Sequence, residues 1–502
     1  MNPVITPEPL PKPAPFEAGH GDEHKATHSS IEAVLEQAGF SKHERRAIYF
    51  GNWLRDYSQL LDPKIVRATT MPKNFPDMLS REALTKIVDV LAVDEFIDLM
   101  KADRPSFEVT PKRLGVYRAT EHIDNPKAIN PQPANARERD ADFEPWVLPG
   151  DPILEVDSDT SMKRYIQRSV DVMTQQLNVA VQAGRESTDG LRALGSALHI
   201  LEDFFAHSNF VELSLIRLGH TKVLPWTSEA DCKHRLPLVT GMFSGSDIIA
   251  SLAAPLGKIL FSAEQRPFEA TEAGKRYQRD QIIQILLSEY PDPQLYDAHE
   301  AFLATRDEWA NLPFAEQVEK FYWYIGTPGR IASHAIGTVM QGLTTFLGNS
   351  VGDVQTGLGD DPNTSGSTDP SHSQLAKDHA EHPLHDLAAL LARTAVLKVG
   401  QAIASQWAGK ENAGNAAQVA TQYMTHPMGS IWQDSLVDEW ANLNPGSVKR
   451  ATVKSDLDLG HAHLQQEAQK ALRQFEGESV SFLKIFQESN SLSDLWNKIT
   501  GK

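Results

Sequence analysis

One segment constrains this chain more than any other. LRALGSALHILEDFFAHSNFVEL places His199, Asp203 and His207 at successive four-residue steps. At about 100 degrees per residue these three share one stripe of an α-helix, drifting by about 40 degrees per step. Leu194, Leu198, Leu201 and Phe205 form the opposite face, with Ile200 and Phe204 beside the polar row, so little of the helix is left for water. A buried line of this kind must be satisfied, because an unpaired carboxylate in apolar surroundings costs several kcal/mol. Two arrangements achieve that: a hydrogen-bonded His-Asp-His seam between packed helices, or a metal ion that takes all three side chains at once. Imidazole nitrogen and carboxylate oxygen suit zinc and other divalent ions, and ligands one helical turn apart converge on one ion without straining the backbone.

The 18 histidines of the chain are clustered. His20, His24 and His28 lie in GHGDEHKATH, and His372, His379, His382 and His385 in HSQLAKDHAEHPLH. A histidine tract in an exposed arm is often only solvated, with adventitious metal affinity. His28 differs, because it opens the amphipathic stretch SSIEAVLEQAGF and so sits where folded structure begins. Cys232 is the only cysteine, which excludes an intrachain disulfide and any paired-Cys or four-Cys zinc scheme. A metal in this chain is therefore held by nitrogen and oxygen.

Apolar residues at three- and four-residue spacing predict helices over 160–183, 187–218, 246–262, 275–289, 314–349, 384–408 and 461–488. Strand signal is thin: Ser106 to Tyr117, where Phe107, Val109, Leu114 and Val116 flank Pro-Lys-Arg, is enough for one hairpin. The expected class is mainly α, a large multi-helix core with at most a small hairpin. The expected divisions are a Pro-rich arm over 1–18, a helical metal-binding core over 19–350, a flexible loop or linker over 351–373, a further core helix with its His cluster over 374–410, and a helical region over 411–502. Met1 to Ala18 lacks the basic-then-apolar order of a secretory leader. The expectation is cytoplasmic synthesis, with export by a signal-independent route or peripheral membrane association open. Three small-residue apolar helices, over 245–261, 329–348 and 386–407, read either as buried core or as helices able to lie on a lipid surface. The formal charge of -18, from 48 Lys+Arg against 66 Asp+Glu, opposes nonspecific attraction to nucleic acid or to an anionic membrane surface, unless a local positive centre such as a bound metal overrides it.

Longer motifs carry a resemblance. IYFGNWLRDYSQ (Ile48 to Gln59), GVYRATEHIDNP (Gly115 to Pro126) and ALHILEDFFAHSNFVEL, followed by GTPGRIASHAIG and KDHAEHPLH, resemble the HET-C domain, named for a fungal heterokaryon-incompatibility protein. More distantly, the order of metal-ligating types is similar to that of zinc-dependent phospholipase C enzymes and their fungal nuclease relatives, whose all-helical fold holds three zinc ions. That resemblance implies His28 as the early His, Asp56 as the first Asp, His122 as the next His, and His199 with Asp203 on the central helix, Asp203 bridging. It further implies His207 as the following His, and His382 with Asp386 as a late His-x-x-x-acid pair, with His334 a rival. The phospholipases use a processed N-terminal Trp as a ligand; here His24 would have to replace it, or the third metal is absent.

Each borrowed residue also has a plainer reading: Asp56 as the salt-bridge partner of Arg55, His122 as a turn cap, His382 as a hydrogen-bonded helix start. The expectations that follow are three. One is a phosphodiester hydrolase of the phospholipase C kind, holding two or three zinc ions or another divalent metal and acting at lipid, with Asp56 orienting or deprotonating the attacking water. The second is a non-enzymatic, membrane-active self/nonself cell-death effector with a structural metal. The third, a zinc nuclease, is disfavoured by the acidic balance and the lack of a basic stripe interleaved with aromatics.

Overall fold

The computed structural model of the chain describes residues 28–242, 274–309, 361–377, 382–410 and 414–457, with isolated helical positions within 256–260, 335–345 and 470–477. The fold is mainly α. Its first helices are α1 (His28–Glu32), α2 (Lys42–Ser58), α3 (Arg81–Glu95), α4 (Ile97–Phe107), α5 (Pro111–Leu114), α6 (Tyr165–Ala183), α7 (Thr188–His207) and α8 (Phe210–Arg217). Helices Gln278–Ser288, Pro293–Trp309, His385–Trp407 and Asp434–Leu443 follow. The regular strand pairing among the described residues is a two-residue parallel ladder, Val66–Arg67 (β1) on Leu79–Ser80 (β2). The hairpin expected over 106–117 is not formed. Thr110 caps the N–H of Arg113, Pro111 takes the first helical position, and the segment closes a helical turn instead.

α7 is the centre of the molecule, packed by α2, α6 and His385–Trp407. Its start is set by Ser187, whose side chain accepts the N–H of Gly190. That of α2 is set by a capping box between Ser41 and Glu44. The helical pattern expected over 187–218 breaks at Ser208 and Asn209. Asn209 gives its side chain to the carbonyls of Pro225 (2.9 Å) and Pro237 (3.1 Å) and to the N–H of Val239 (2.9 Å), which anchors the break.

Two glycines let α2 and α7 cross at close range. A Cβ on Gly195 would collide with the carbonyl of Ile48, and one on Gly51 with the carbonyl of Arg192. That approach sets Asn52 and Asp56 of α2 against His199 and Asp203 of α7. The helix His385–Trp407 is long and apolar enough to cross a membrane, yet it buries Leu387, Leu391, Val396, Val399 and Ile403 in the common core. The other two apolar segments lie largely outside the described residues, as do the Pro-rich arm, His20, His24, His334 and His379. Residues 361–373, expected to be part of a flexible linker, are tied down. Asn363 accepts the N–H of Trp226, and Asp369 pairs with Lys127 and Lys163.

Candidate metal centre

Four segments bring their polar side chains to α7. His28 opens α1, and Glu32 follows one turn later. Asn52 and Asp56 lie one turn apart on α2. His122 ends the 3-10 turn Ala119–Glu121, and Asp124 stands two residues on. Between them Ile123 is fully buried in a left-handed conformation (φ 55°), a strained state for a β-branched residue that lets both polar neighbours turn inward. The fourth segment carries His372. Its backbone N–H donates to Met242 at 2.9 Å, and its Cα sits where a side chain on Gly241 would be. Gly241 itself donates to the carbonyl of His207 (3.3 Å) and accepts from Asn125 (2.8 Å), so one glycine gathers the segments of His207, Asp124 and His372.

Three groupings result that could hold a metal ion: His28 with Asp56 and His199, His122 with His199 and Asp203, and Asp124 with His207 and His372. Asp203 is central. Its Oδ2 lies 3.0 Å from Nε2 of His199 and 3.8 Å from Nδ1 of His122, and its Oδ1 lies 3.9 Å from both His28 and His207. Asp56 Oδ1 faces His28 Nε2 at 3.6 Å and His199 Nδ1 at 3.9 Å. In the third grouping, Asp124 Oδ1 lies 3.5 Å from Nδ1 of His372, whose ring is 4.3 Å from that of His207. Tyr117 donates to the other oxygen of Asp124 at 2.9 Å.

The hydrogen bonds around the cluster decide where its lone pairs point. Ser58 spends its hydroxyl proton on the carbonyl of Arg55 (2.7 Å), so at 3.3 Å it accepts from Nε2 of His122. The Nδ1 of His122 then carries the ring's lone pair, and the side-chain amide of Gln59 donates toward it at 3.0 Å. Asn52 uses its amide N–H groups on Glu32 (3.1 Å) and Glu202 (3.2 Å), so its oxygen faces Nδ1 of His199 at 3.0 Å and accepts that proton. His199 is left with a bare Nε2, 3.0 Å from Nδ1 of His122. His28 donates through Nδ1 to Glu202 at 2.5 Å, which leaves its Nε2 toward Asp56 and Asp203.

Nδ1 of His122, Nε2 of His199 and Oδ2 of Asp203 thus face one another at 3.0 to 3.8 Å. A cation among them would take all three donors at once. Donors about 2.0–2.2 Å from a tetrahedral ion stand roughly 3.3–3.6 Å apart, a range that the observed separations of 3.0, 3.0 and 3.8 Å fall on either side of. Partner carboxylates and amides that hold metal-binding histidines in one tautomer are the usual support of such sites.

Burial, then the neighbouring His199, pushes the pKa of His122 well below its ordinary value, which keeps it neutral and able to ligate. Burial pulls the Asp203 carboxyl upward, but His199 and His207 outweigh it and hold Asp203 ionised. Glu202 and Glu32, fully buried, are both pushed up, chiefly by burial.

The structure therefore gathers His28, Asp56, His122, His199, Asp203 and His207. His382 and Asp386 do not join them among the described residues. Asp386 is exposed, and His382 accepts the N–H of Leu384, the helix-start contact. His372 and Asp124 stand at the cluster instead. Asp124 follows His122 by two residues, a His-x-Asp signal, whereas His372 belonged to a tract in which spacing pointed elsewhere. Asn52, Glu32 and Glu202 carried no spacing signal.

No curated protein and no solved structure matches the chain. The family model for heterokaryon incompatibility protein Het-C matches residues 18–291, a span that holds every residue of the three groupings except His372. The match covers more than half of the sequence, and the chain belongs to the heterokaryon incompatibility protein Het-C family.

Proposed function

We propose that the protein is a metal-dependent phosphodiester hydrolase, phospholipase C-like in its chemistry, which holds zinc or a similar divalent ion and works at a lipid surface. The observation that carries this reading is the convergence of Nδ1 of His122 and Nε2 of His199 on Oδ2 of Asp203. The all-nitrogen-and-oxygen donor set fits zinc and leaves room for other divalent ions. A divalent ion bound there supplies Lewis acidity, which lowers the pKa of a water toward neutrality and offsets charge on phosphoryl oxygens.

The chain's own residues do the remaining work. Asp203 presents its two oxygens to different histidines and so links the groupings. Glu202 and Asn52 hold His28 and His199 in the tautomers that face the site. Asp56 and His207 are the most exposed members, at 9% and 7%, and mark the side from which substrate arrives. Asp56, open on that side and ionisable, is suited to orient a water and take its proton.

Hydrolysis of p-nitrophenylphosphorylcholine and bis(p-nitrophenyl) phosphate by the metal-loaded protein tests the reading. Asp56→Asn should lower turnover by about 10²–10⁴-fold with folding and metal content retained. A metal-loaded parent that hydrolyses neither ester contradicts the proposal. One observation favours a second reading, a non-enzymatic Het-C effector with a structural metal: His122, His199 and Asp203 are at most 1% exposed. On that reading the parent is inert toward both esters, and its leakage of lipid vesicles is unchanged by Asp56→Asn.

A further inference from the structure

The chain carries a formal charge of -18, yet one cleft is cationic. It has a volume of about 830 Å³ and lies between α6, α7 and the segment Thr110 to Arg118. Arg55, Arg81, Lys112, Arg113, Arg118 and Arg192 line it, against three acidic side chains. None of the metal-site residues lines it. On α7 it is bordered by Arg192, Ser196 and Ile200, the stripe next to that of His199, Asp203 and His207 and rotated from it by about 100 degrees.

The basic groups are not equally engaged. Arg55 is locked to Glu121 and to the carbonyls of Arg113 and Leu114, and Arg81 to Asp140 and Asp142. The hydrogen bonds of Arg113 go to the carbonyls of Pro105 and Glu108 (2.8 Å each), which are neutral and leave its charge uncompensated. Arg192 meets Asp189 at 2.7 Å, but that carboxylate is 64% exposed and its field is screened by solvent. Burial lowers the pKa of Arg192, Asp189 offsets part of that shift, and the nearby guanidiniums of Arg113 and Arg55 add smaller lowering effects. Lys112 is exposed at the rim. Apolar side chains share the lining: Val172 and Val179 of α6, the latter 41% exposed, and Ala193 and Ile200 of α7, beside the polar Gln176 and Ser196.

A lining that combines excess positive charge with apolar side chains suits a phosphate carried on an organic body. We propose that this cleft is a second, metal-free site that binds a phosphomonoester anion through Lys112, Arg113 and Arg192, its organic part lying against Val172 and Val179. Guanidinium groups pair with two phosphate oxygens at once, and an ammonium adds a mobile third contact. Because the cleft shares no residue with the metal cluster, this proposal stands apart from the hydrolase reading.

The test is titration calorimetry of the full chain, as purified, with phenyl phosphate at low ionic strength. The Lys112→Gln/Arg192→Gln double variant, its circular dichroism and metal content matching the parent, should bind about tenfold more weakly or worse. Should that variant not fold, Lys112→Glu, at an exposed position, should give the same loss. Pelleting with phosphatidylcholine vesicles that contain phosphatidate separates the sources. Parent that pellets while the variant does not identifies a lipid headgroup; parent that binds phenyl phosphate but does not pellet identifies a soluble phosphomonoester. Parent and folded variant binding equally, or the parent binding neither probe, would overturn the proposal.

Discussion

The side-chain oxygen of Asn52 lies 3.0 Å from Nδ1 of His199, and this contact fixes which nitrogen of His199 faces Asp203. Asn52 cannot turn over, because its amide N–H groups are held by the buried carboxyls of Glu32 and Glu202. Asn52→Leu keeps the volume and removes all three bonds. It should weaken metal binding by about 10–100-fold and cost about 1–3 kcal/mol of stability from the groups left unpaired. Metal titration with a competing chelator, beside urea unfolding, checks both.

The crossing of α2 and α7 depends on two residues without side chains. Gly195→Ala places a methyl against the carbonyl of Ile48, which is backbone and cannot rotate away. The helices must part, at a cost of about 1–3 kcal/mol or more, and the α2 residues Asn52 and Asp56 withdraw from the α7 residues His199 and Asp203. Gly195→Ala should therefore lose both stability and bound metal, whereas Gly429→Ala, where a Cβ meets nothing within 4 Å, should retain its metal. Thermal unfolding and elemental analysis of the two variants distinguish a crossing effect from a general one.

Lys377 anchors the segment that carries His372. It is fully buried, and its Nζ donates to the carbonyls of Ser208 (2.8 Å) and Leu375 (2.7 Å) and to Glu212 (3.0 Å). Even with this partner, burial keeps the pKa of Glu212 raised. Lys377→Met should cost about 3–5 kcal/mol, because the carboxylate is left buried without its cation. Lys377→Met/Glu212→Leu should recover much of that. Denaturant unfolding of parent, single and double variants reads the coupling directly.

His426 gives the protein an acid limb. It is 3% exposed, accepts the N–H of Met428 through Nδ1 and donates through Nε2 to the carbonyl of Leu236 (2.9 Å). Burial pulls its pKa from 6.5 down to about 4, with the stacked ring of His234 adding to the shift. Between those values the unfolded chain binds the proton and the folded one does not, so stability is complete above pH 6.5 and falls as pH drops toward 4. The full loss is about 3 kcal/mol. His426→Gln should flatten that limb, which unfolding measurements across pH 4–7 would show.

Much of this was legible in the sequence because helical periodicity and four-residue spacing are local. His199, Asp203 and His207 share a stripe wherever the helix goes, and burial of their flanking leucines follows from composition. The Het-C motifs likewise lay in continuous strings. Asn52 and Glu202 were illegible because their roles arise from a crossing set by Gly51 and Gly195, a tertiary event. The late pair His382 and Asp386 had the right spacing, but the chain turns at His382 to start a helix and leaves Asp386 in solvent. His372 reaches the cluster because backbone pairing at Met242 and the absence of a side chain at Gly241 allow it, and no periodicity records that.

The central claim is that Nδ1 of His122 and Nε2 of His199, converging on Oδ2 of Asp203, hold a cation. Elemental mass spectrometry of the untagged protein as purified, beside Asp203→Asn, tests it most directly. The account predicts stoichiometric divalent metal, zinc foremost, in the parent and its loss from the folded variant. A folded parent that carries no tightly bound metal, or a variant that keeps it all, would contradict the account.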